Sequence, residues 1–393
     1  MRKKFKNFEV EGIDDINNLE TLKEKWNSLL KENATKTVEL SYEWQLNYWK
    51  YFNENSKLFV VIVKEGHDIV GIAPLKITNI RRFGIRVRRL EFIAGKESNY
   101  QDFIIGNNKD SVIQCIFQFI IDNRNHWDLL SLVNIPETSR TIICIDDSIG
   151  KQFFGLVKDI HKCIFLDIDM PHEEYIEVVR KKRRKYVERC VRKIKREGEI
   201  DFYHCETEDS FILHMEKLFE LHRKLWNDTD TPSEFNNQGL CKFYLESVRK
   251  LLPKKEINLS VLTFNNTIVS LLLSFLFDGE CIFQLTAYDS DYKALSPSIV
   301  LWHFFIKEAF ENNVKMIDFG TYYPYKELWG NKFRNKISFE IYPKRAFISY
   351  YFYSFERIYS LFRKYLRKFP AVVHFVRKAR QKGSSKSNNN ESN

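Results

Sequence analysis

Residues 58–64, Leu-Phe-Val-Val-Ile-Val-Lys, and 69–77, Ile-Val-Gly-Ile-Ala-Pro-Leu-Lys-Ile, are apolar runs divided by Glu65-Gly66-His67-Asp68. Two such runs around a polar Gly-containing turn predict a β-hairpin. Further strands are expected at 88–94 and 102–105, an apolar-periodic helix at 110–124, and a buried strand at 127–133. Helices at 17–33 and 43–52, around Trp26, Trp44 and Trp49, precede the hairpin. The same order then recurs. Leu259 to Phe264 and Ile268 to Phe277 form a second hairpin across Asn265-Asn266. With Ile69-Val70 aligned on Ile268-Val269 the two hairpins superpose without a gap. A helix at 297–312 follows the second hairpin, then a strand with Asp between apolar residues, Ile317-Asp318-Phe319, matching Trp127-Asp128-Leu129. Such a recurrence predicts two copies of one α/β unit. Identity between the copies is low, so the resemblance any two hairpin–helix–strand units share is the competing explanation.

Between the copies, 171–250 reads as mostly helical. Val187, Cys190, Val191 and Ile194 make one apolar stripe, with cations on the other faces. Gly198 is placed to end that helix at its C′ position. A second helix is expected over 208–226. Residues 346–380 read as helical, aromatic and basic, broken at Pro370, and the Ser/Asn-rich 381–393 as disordered. The expected division is an N-terminal unit, 1–165, a C-terminal unit, 166–343, a basic tail, 344–380, and a disordered end.

Composition narrows the class. Hydrophobic residues form 44% of 393, enough for two cores. The seven cysteines form no C-x-x-C pair, which disfavours a disulfide framework or structural zinc and fits a reducing, cytoplasmic setting. The basic N-terminus has no apolar stretch behind it, so no secretory signal is read, and Ile268–Phe277 is too short to span a membrane. The net charge of +10 is uneven. Residues 180–196 and 344–382 each carry a local +10, which leaves the remainder acidic and points to anionic contacts at defined places.

The chemistry centres on 281–333. An apolar strand, Cys281 to Tyr288, runs into Asp289-Ser290-Asp291-Tyr292-Lys293-Ala294-Leu295-Ser296-Pro297-Ser298 and then a helix. Pro297 suits the first helical position, and Ser296 is the expected N-cap. Free amides and the helix dipole at such a junction favour phosphate. Downstream stand Asp318-Phe319-Gly320, Tyr325-Lys326 and Trp329.

In that order and spacing, Tyr288-Asp289, Tyr292, Ser296-Pro297, Asp318-Phe319-Gly320, Tyr325-Lys326 and Trp329 resemble the GNAT-fold acetyltransferase domain of cellulose-biosynthesis (CelD-like) proteins, a family related to the FemAB-type peptidoglycan aminoacyltransferases. Arg183-Arg184, Leu221-His222-Arg223, Trp226, Gly71-Ile72-Ala73-Pro74-Leu75, Arg88-Arg89-Leu90 and Tyr100-Gln101-Asp102-Phe103 extend the likeness over roughly 17–335. It implies a tandem GNAT-like α/β fold with a helical insert and basic C-terminal helices. It also implies an acetyl-CoA or other acyl-CoA donor, or aminoacyl-tRNA in the FemAB branch, and an amine acceptor on a sugar, polysaccharide or cell-envelope precursor. The pattern usually has Gly after Ser-Pro. Here Ser298 stands there, which puts close approach of a pyrophosphate in question and keeps a non-catalytic binding protein as a further reading.

The candidate catalytic residues are Asp318 (to orient or deprotonate the amine, or merely cap a turn), Tyr325 (acid for the leaving thiolate, or a packed aromatic) and Lys326 (contact to the donor phosphates or an anionic acceptor, or a solvated lysine). The donor-binding candidates are Tyr288, Asp289, Tyr292, Ser296, Ser298 and Ile299. His222, Trp226, Tyr100 and Asp102 are the acceptor-side candidates, with His222 equally readable as a core residue. No metal cluster is read. The first copy lacks a Ser-Pro loop and is expected to have no donor site. The 346–380 segment suits either a peripheral membrane-surface helix at the inner face or a helix docked on the core.

Overall fold

A computed structural model describes residues 2–354, apart from 6, 83, 96, 150–152, 170, 173, 176–180, 313, 331, 345–349 and 352. The tail expected over 344–380 and the end at 381–393 therefore lie almost wholly outside the described residues.

The first unit runs β1 (Arg2–Phe5), β2 (Phe8–Ile13), α1 (Ile16–Glu20), α2 (Lys23–Glu32), α3 (Tyr42–Phe52), β3 (Ser56–Leu58), β4 (Val60–Glu65), β5 (Asp68–Ala73), β6 (Leu75–Arg82), β7 (Ile85–Phe92), β8 (Ile104–Ile105), α4 (Asp110–Asp122), β9 (Leu129–Pro136), α5 (Arg140–Ile149) and β10 (Phe153–Asp167). The second comprises α6 (Lys181–Glu197), β11 (Ile200–His204), α7 (Glu208–Trp226), α8 (Gln238–Leu251), β12 (Ile257–Phe264), β13 (Thr267–Phe277), β14 (Glu280–Tyr288), α9 (Pro297–Glu311), β15 (Met316–Thr321) and β16 (Lys332–Pro343).

The strands form a five-stranded sheet, β1-β2-β4-β5-β8, and an eleven-stranded one, β11-β12-β13-β14-β15-β10-β16-β9-β7-β6-β3. Both expected hairpins are present. Asn265 and Asn266 have φ of 47° and 63°, the left-handed pair that a tight two-residue hairpin requires. The expected strand 69–77 is instead two. Pro74 has no amide to give a ladder, and the chain passes there from the small sheet to the large one. The expected helix 17–33 is likewise broken, between Glu20 and Lys23. Gly198 follows α6, but not in a left-handed conformation. A Cβ there would come within 2.5 Å of Asn265 Oδ1 and 2.6 Å of the Phe264 ring, so close approach explains the glycine.

The repeat is carried by parallel pairs. β7 pairs with β9 through Arg89–Glu91 and Leu129–Ser131, and β14 with β15 through Glu280–Ile282 and Met316–Asp318. Each pair brackets one helix, α4 or α9. The two units interlock through strands that periodicity did not single out. β10 leaves the first unit and pairs with β15, while β16 returns and pairs with β9. β10 and β16 also pair with each other from Phe153↔Pro343 to Phe165↔Lys332. Ile164 and Leu166 of β10 therefore belong to the second core, and Phe339 and Ile341 of β16 to the first.

Candidate active site

The site begins with a defect in β14. Leu273 faces Leu285 and Ser274 faces Phe283, so Gln284 is an extra residue, a β-bulge that bends the strand. The bulge lies just beyond Ile282, the last residue paired with β15. β15 is irregular at the same level: Asp318 faces Phe165 and Thr321 faces Cys163, with Gly320 between them at φ 73°. The two strands part here and open a cleft lined by main-chain groups.

Lys326 occupies the cleft. Its Nζ donates to the carbonyl oxygens of Phe319 and, at 2.9 Å, Thr321, both beyond the last β14–β15 pair. Burial lowers its pKa from 10.5 to about 8, although the nearby Asp318 charge opposes the shift. Tyr325, one residue earlier in the short turn Pro324–Leu328, is 53% exposed and stacks on Tyr323 at 6.1 Å.

Asp318 is wholly buried and fully engaged. Oδ2 accepts from Tyr100 Oη at 2.5 Å and from the Arg334 guanidinium; Oδ1 accepts from the Gly320 amide at 2.6 Å. Arg334 Nε also reaches Tyr100 Oη at 3.0 Å. The carboxylate thus ties together β15, β16 and the first unit, and each oxygen already has a partner.

The 97–103 loop of the first unit supplies that contact. Glu39 Oε1 accepts from Asn99 N at 2.5 Å and Oε2 from Tyr100 N at 3.0 Å; burial pushes its pKa up to about 7. Asn99 Nδ2 donates to the bulge residue Gln284, whose own amide donates to Glu97 O and Tyr244 Oη. Gln101 N donates to Asn134 O on β9 at 3.1 Å, so this loop fills the first unit's own strand divergence. Asp102 faces away from the cleft. Its oxygens accept from Thr35, Thr141 and the Phe103 amide within the first unit.

The donor-loop candidates cluster at the start of α9. Asp289 caps the turn Ser290–Leu295 through the Asp291 amide and accepts from Lys224 at 2.5 Å; Lys224 also reaches Asp291 at 2.7 Å. Burial alone would raise the Asp289 pKa, but Lys224 and the Asp291 amide hold it below the usual carboxylate range. Tyr288 ends β14 opposite Ser270, Tyr292 packs edge-on to Phe264 at 5.8 Å, and Ile299 is half-buried in the second core. Ser296 does not cap α9 with its side chain as expected. It sits at φ 53° and only its carbonyl serves the helix, accepting from Ile299 N and Val300 N. Ser298 Oγ lies 3.3 Å from Ser270 Oγ, so the hydroxyl turns toward the sheet. The basic helix α6 borders this loop, with Lys193 Nζ on Ala294 O at 2.8 Å and Arg183 on Glu327.

His222 and Trp226 stack on each other along α7 at 6.0 Å, flanking Lys224 in sequence. His222 Nδ1 pairs with Ser233 Oγ at 2.8 Å, and burial lowers its pKa. Trp226 is 43% exposed. They neighbour the donor loop through Lys224 and make no contact with Tyr100 or Asp318. Among the described residues no group of His, Cys, Asp and Glu could hold a metal ion.

Residues 181–327 match the acetyltransferase (GNAT) domain. The second unit therefore contains a stretch similar to that domain, and the fold as a whole is tandem GNAT-like. The chain superposes on the crystal structure of FemX with a TM-score of 0.61 at 8% identity, covering 84% of this chain and 96% of that one. L-PGS from Bacillus licheniformis gives 0.51 at 13% identity, covering 85% and 96%. A conserved protein of unknown function from Bacteroides thetaiotaomicron VPI-5482 gives 0.50 at 7%, covering 85% and 100%. At these identities the likeness is one of fold. No curated protein matches the sequence.

Arg334, Lys336 (whose Nζ donates to Asn99 O at 3.2 Å), Gln284, Glu39 and Lys224 are polar groups around the site that the sequence did not single out. Each lies in an element whose pairing or packing partner is far away in sequence. The one available signal was Arg334 itself, a cation in the strand-like run Lys332–Pro343.

Proposed function

We propose that the second unit transfers an acyl group from an acyl-CoA to an amine borne by a sugar, polysaccharide or cell-envelope precursor. The observation that carries this reading is Lys326, a lysine of lowered pKa held where β14 and β15 part. The loop and first turn of α9 receive the donor's phosphates, where the helix dipole and the Ser298 amide favour negative charge. The acyl group then lies along the parted strands. Neutral Lys326 takes the proton of the attacking amine, for which a pKa near the working pH is the useful one. The amine nitrogen bonds to the carbonyl carbon and the π pair moves to oxygen; that pair then returns to re-form the carbonyl as the C–S bond breaks with its pair leaving on sulfur. Tyr325, at the exposed mouth, protonates the thiolate. Asp318 is assigned a positioning role, since Arg334, Tyr100 and Gly320 already engage it.

An aminoacyl-tRNA donor is the second reading, favoured by α6. Its Lys193 is bonded to the donor loop, so a strongly basic helix borders the proposed phosphate site. Calorimetry with acetyl-CoA, longer acyl-CoAs and bulk tRNA separates the two. Saturable CoA binding lost in Ser298→Glu supports the first reading. Salt-sensitive tRNA binding without CoA binding replaces it with the second, and binding of neither makes the protein non-catalytic. No described helix is long and apolar enough to cross a membrane. Peripheral contact through 346–380 is tested by liposome flotation with and without 344–393.

A further inference from the structure

Trp302 stands in the second turn of α9. Its ring packs on Phe283 at 4.9 Å and Phe319 at 5.7 Å. These are the residues immediately after the last parallel pair, Ile282 with Asp318, so the indole covers the point where the strands part. Tyr325 and Trp329 complete the surround at 6.1 and 6.2 Å. The residue is 4% exposed, and its Nε1 has no hydrogen-bond acceptor.

The three more deeply buried indoles, at 0–1% exposure, are treated differently. Trp26 donates to Leu40 O at 2.9 Å, Trp44 to Ser98 Oγ at 2.9 Å and Trp127 to Ile120 O at 3.0 Å. A desolvated donor without an acceptor is costly, which is why buried indoles are normally paired. The exception lies at the one place where the proposed function puts a reacting carbonyl. Of the four rings around it, Phe283, Phe319 and Trp329 are buried, and Tyr325 alone has solvent on its far side.

We propose that Trp302 Nε1–H donates to the carbonyl oxygen of the acyl group being transferred, and that the Tyr325 ring moves aside to admit it. This rests on the acyl-transfer reading of the cleft. As the amine attacks and the π pair moves onto oxygen, the hydrogen bond strengthens with the developing charge, and Trp302 acts as a catalytic residue.

The test uses the full chain with 15N-labelled tryptophan, Trp302→Phe identifying the resonance. The probes are S-ethyl thioacetate, a bare thioester, and acetyl-CoA against CoA. The Trp302 indole proton is expected to move downfield saturably with S-ethyl thioacetate while the Trp26, Trp44 and Trp127 protons stay. Trp302→Phe should weaken acetyl-CoA binding about five- to tenfold and leave CoA binding unchanged. Its melting temperature should also fall less than that of Trp127→Phe, which loses a made hydrogen bond as well as ring volume. An unmoved indole proton at saturating acetyl-CoA overturns the proposal and leaves the CoA donor standing. So does a Trp302→Phe melting temperature as low as that of Trp127→Phe. A protein that ignores acetyl-CoA yet shows the shift with the bare thioester removes the CoA donor and keeps the Trp302 contact. A protein that responds to neither overturns both.

Discussion

Lys326→Met is the most discriminating perturbation of the cleft, because its effect changes with pH in a calculable way. The folded-state pKa of Lys326 is about 8, against an ordinary 10.5. Between these values the unfolded chain holds more protons than the folded one. Wild-type stability therefore rises with pH through this window, and the cost of burying the charge is fully present below pH 8. That difference corresponds to about 3 kcal/mol. Methionine removes that cost but forfeits two hydrogen bonds to main-chain carbonyls, each contributing about 0.5–1.5 kcal/mol. At pH 7 the variant should be as stable as wild type or more stable, by up to about 2 kcal/mol. At pH 10, where wild type has recovered about 2.5 kcal/mol, it should be equal or less stable by up to about 2 kcal/mol. Urea unfolding of both proteins from pH 7 to 10, followed by tryptophan fluorescence, reads the difference, and titrations common to both cancel. A stability difference constant to within about 0.5 kcal/mol across that range would refute the lowered pKa and with it the role of Lys326 as the base. Where the pKa is lowered, acyl transfer should rise with pH around 8 in wild type and be lost in the variant.

Arg334→Met leaves the Asp318 carboxylate buried with only Tyr100 and Gly320, and should cost about 3–5 kcal/mol in urea unfolding. Asp318→Asn combined with it should cost clearly less than the two singles together; additivity within about 0.5 kcal/mol would show that the pair is not coupled. Ser298→Gly should leave donor affinity in calorimetry within about twofold, because the hydroxyl already faces Ser270. A large gain in affinity would mean that the serine obstructs the loop.

Local signals in the sequence located what is locally determined. The hairpins rest on Asn265-Asn266 and on alternation, α9 on Pro297 and its apolar face, and the donor loop on the small polar run between strand and helix. Asp318 and Tyr100 were both marked, but not that they touch, since the contact joins a loop to a strand more than two hundred residues away. The bulge at Gln284 left no trace, because an extra residue in a strand looks like any other half-buried polar position until the partner's register is known. The Ser296 cap was misjudged for a related reason: side-chain capping is the common use of serine before Pro, and the left-handed alternative is set by the turn Ser290–Leu295 behind it. β10 and β16 are long strands of 15 and 12 residues, yet neither pairs within the unit its position in the chain would assign it to.

That exchange of strands makes the two units interdependent, and a fragment tests it. Cutting at 165/166 strips β15 of its Phe165 and Cys163 partners and leaves β16 without β10 and β9 along most of its length. The second core loses Ile164, and Phe339 and Ile341, which pack in the first core, face water. Asp318 keeps Arg334 but loses Tyr100. Open strand edges with exposed apolar residues pair with other chains. Residues 166–343 alone should therefore aggregate or lack a cooperative thermal transition by circular dichroism. Co-expression of 1–169 with 171–343 should restore a single species on size exclusion, because every pairing of β10 and β16 is then available. A fragment 166–343 that melts cooperatively as a monomer would show that the second unit folds without the exchange. The first unit would then be a separable attachment and not the part that supplies Tyr100 to the site. The same topology links the two strand divergences. The first unit's loop, which fills its own strand divergence through Gln101 and Asn134, is the loop whose Asn99 and Tyr100 hold Gln284 and Asp318 in the other.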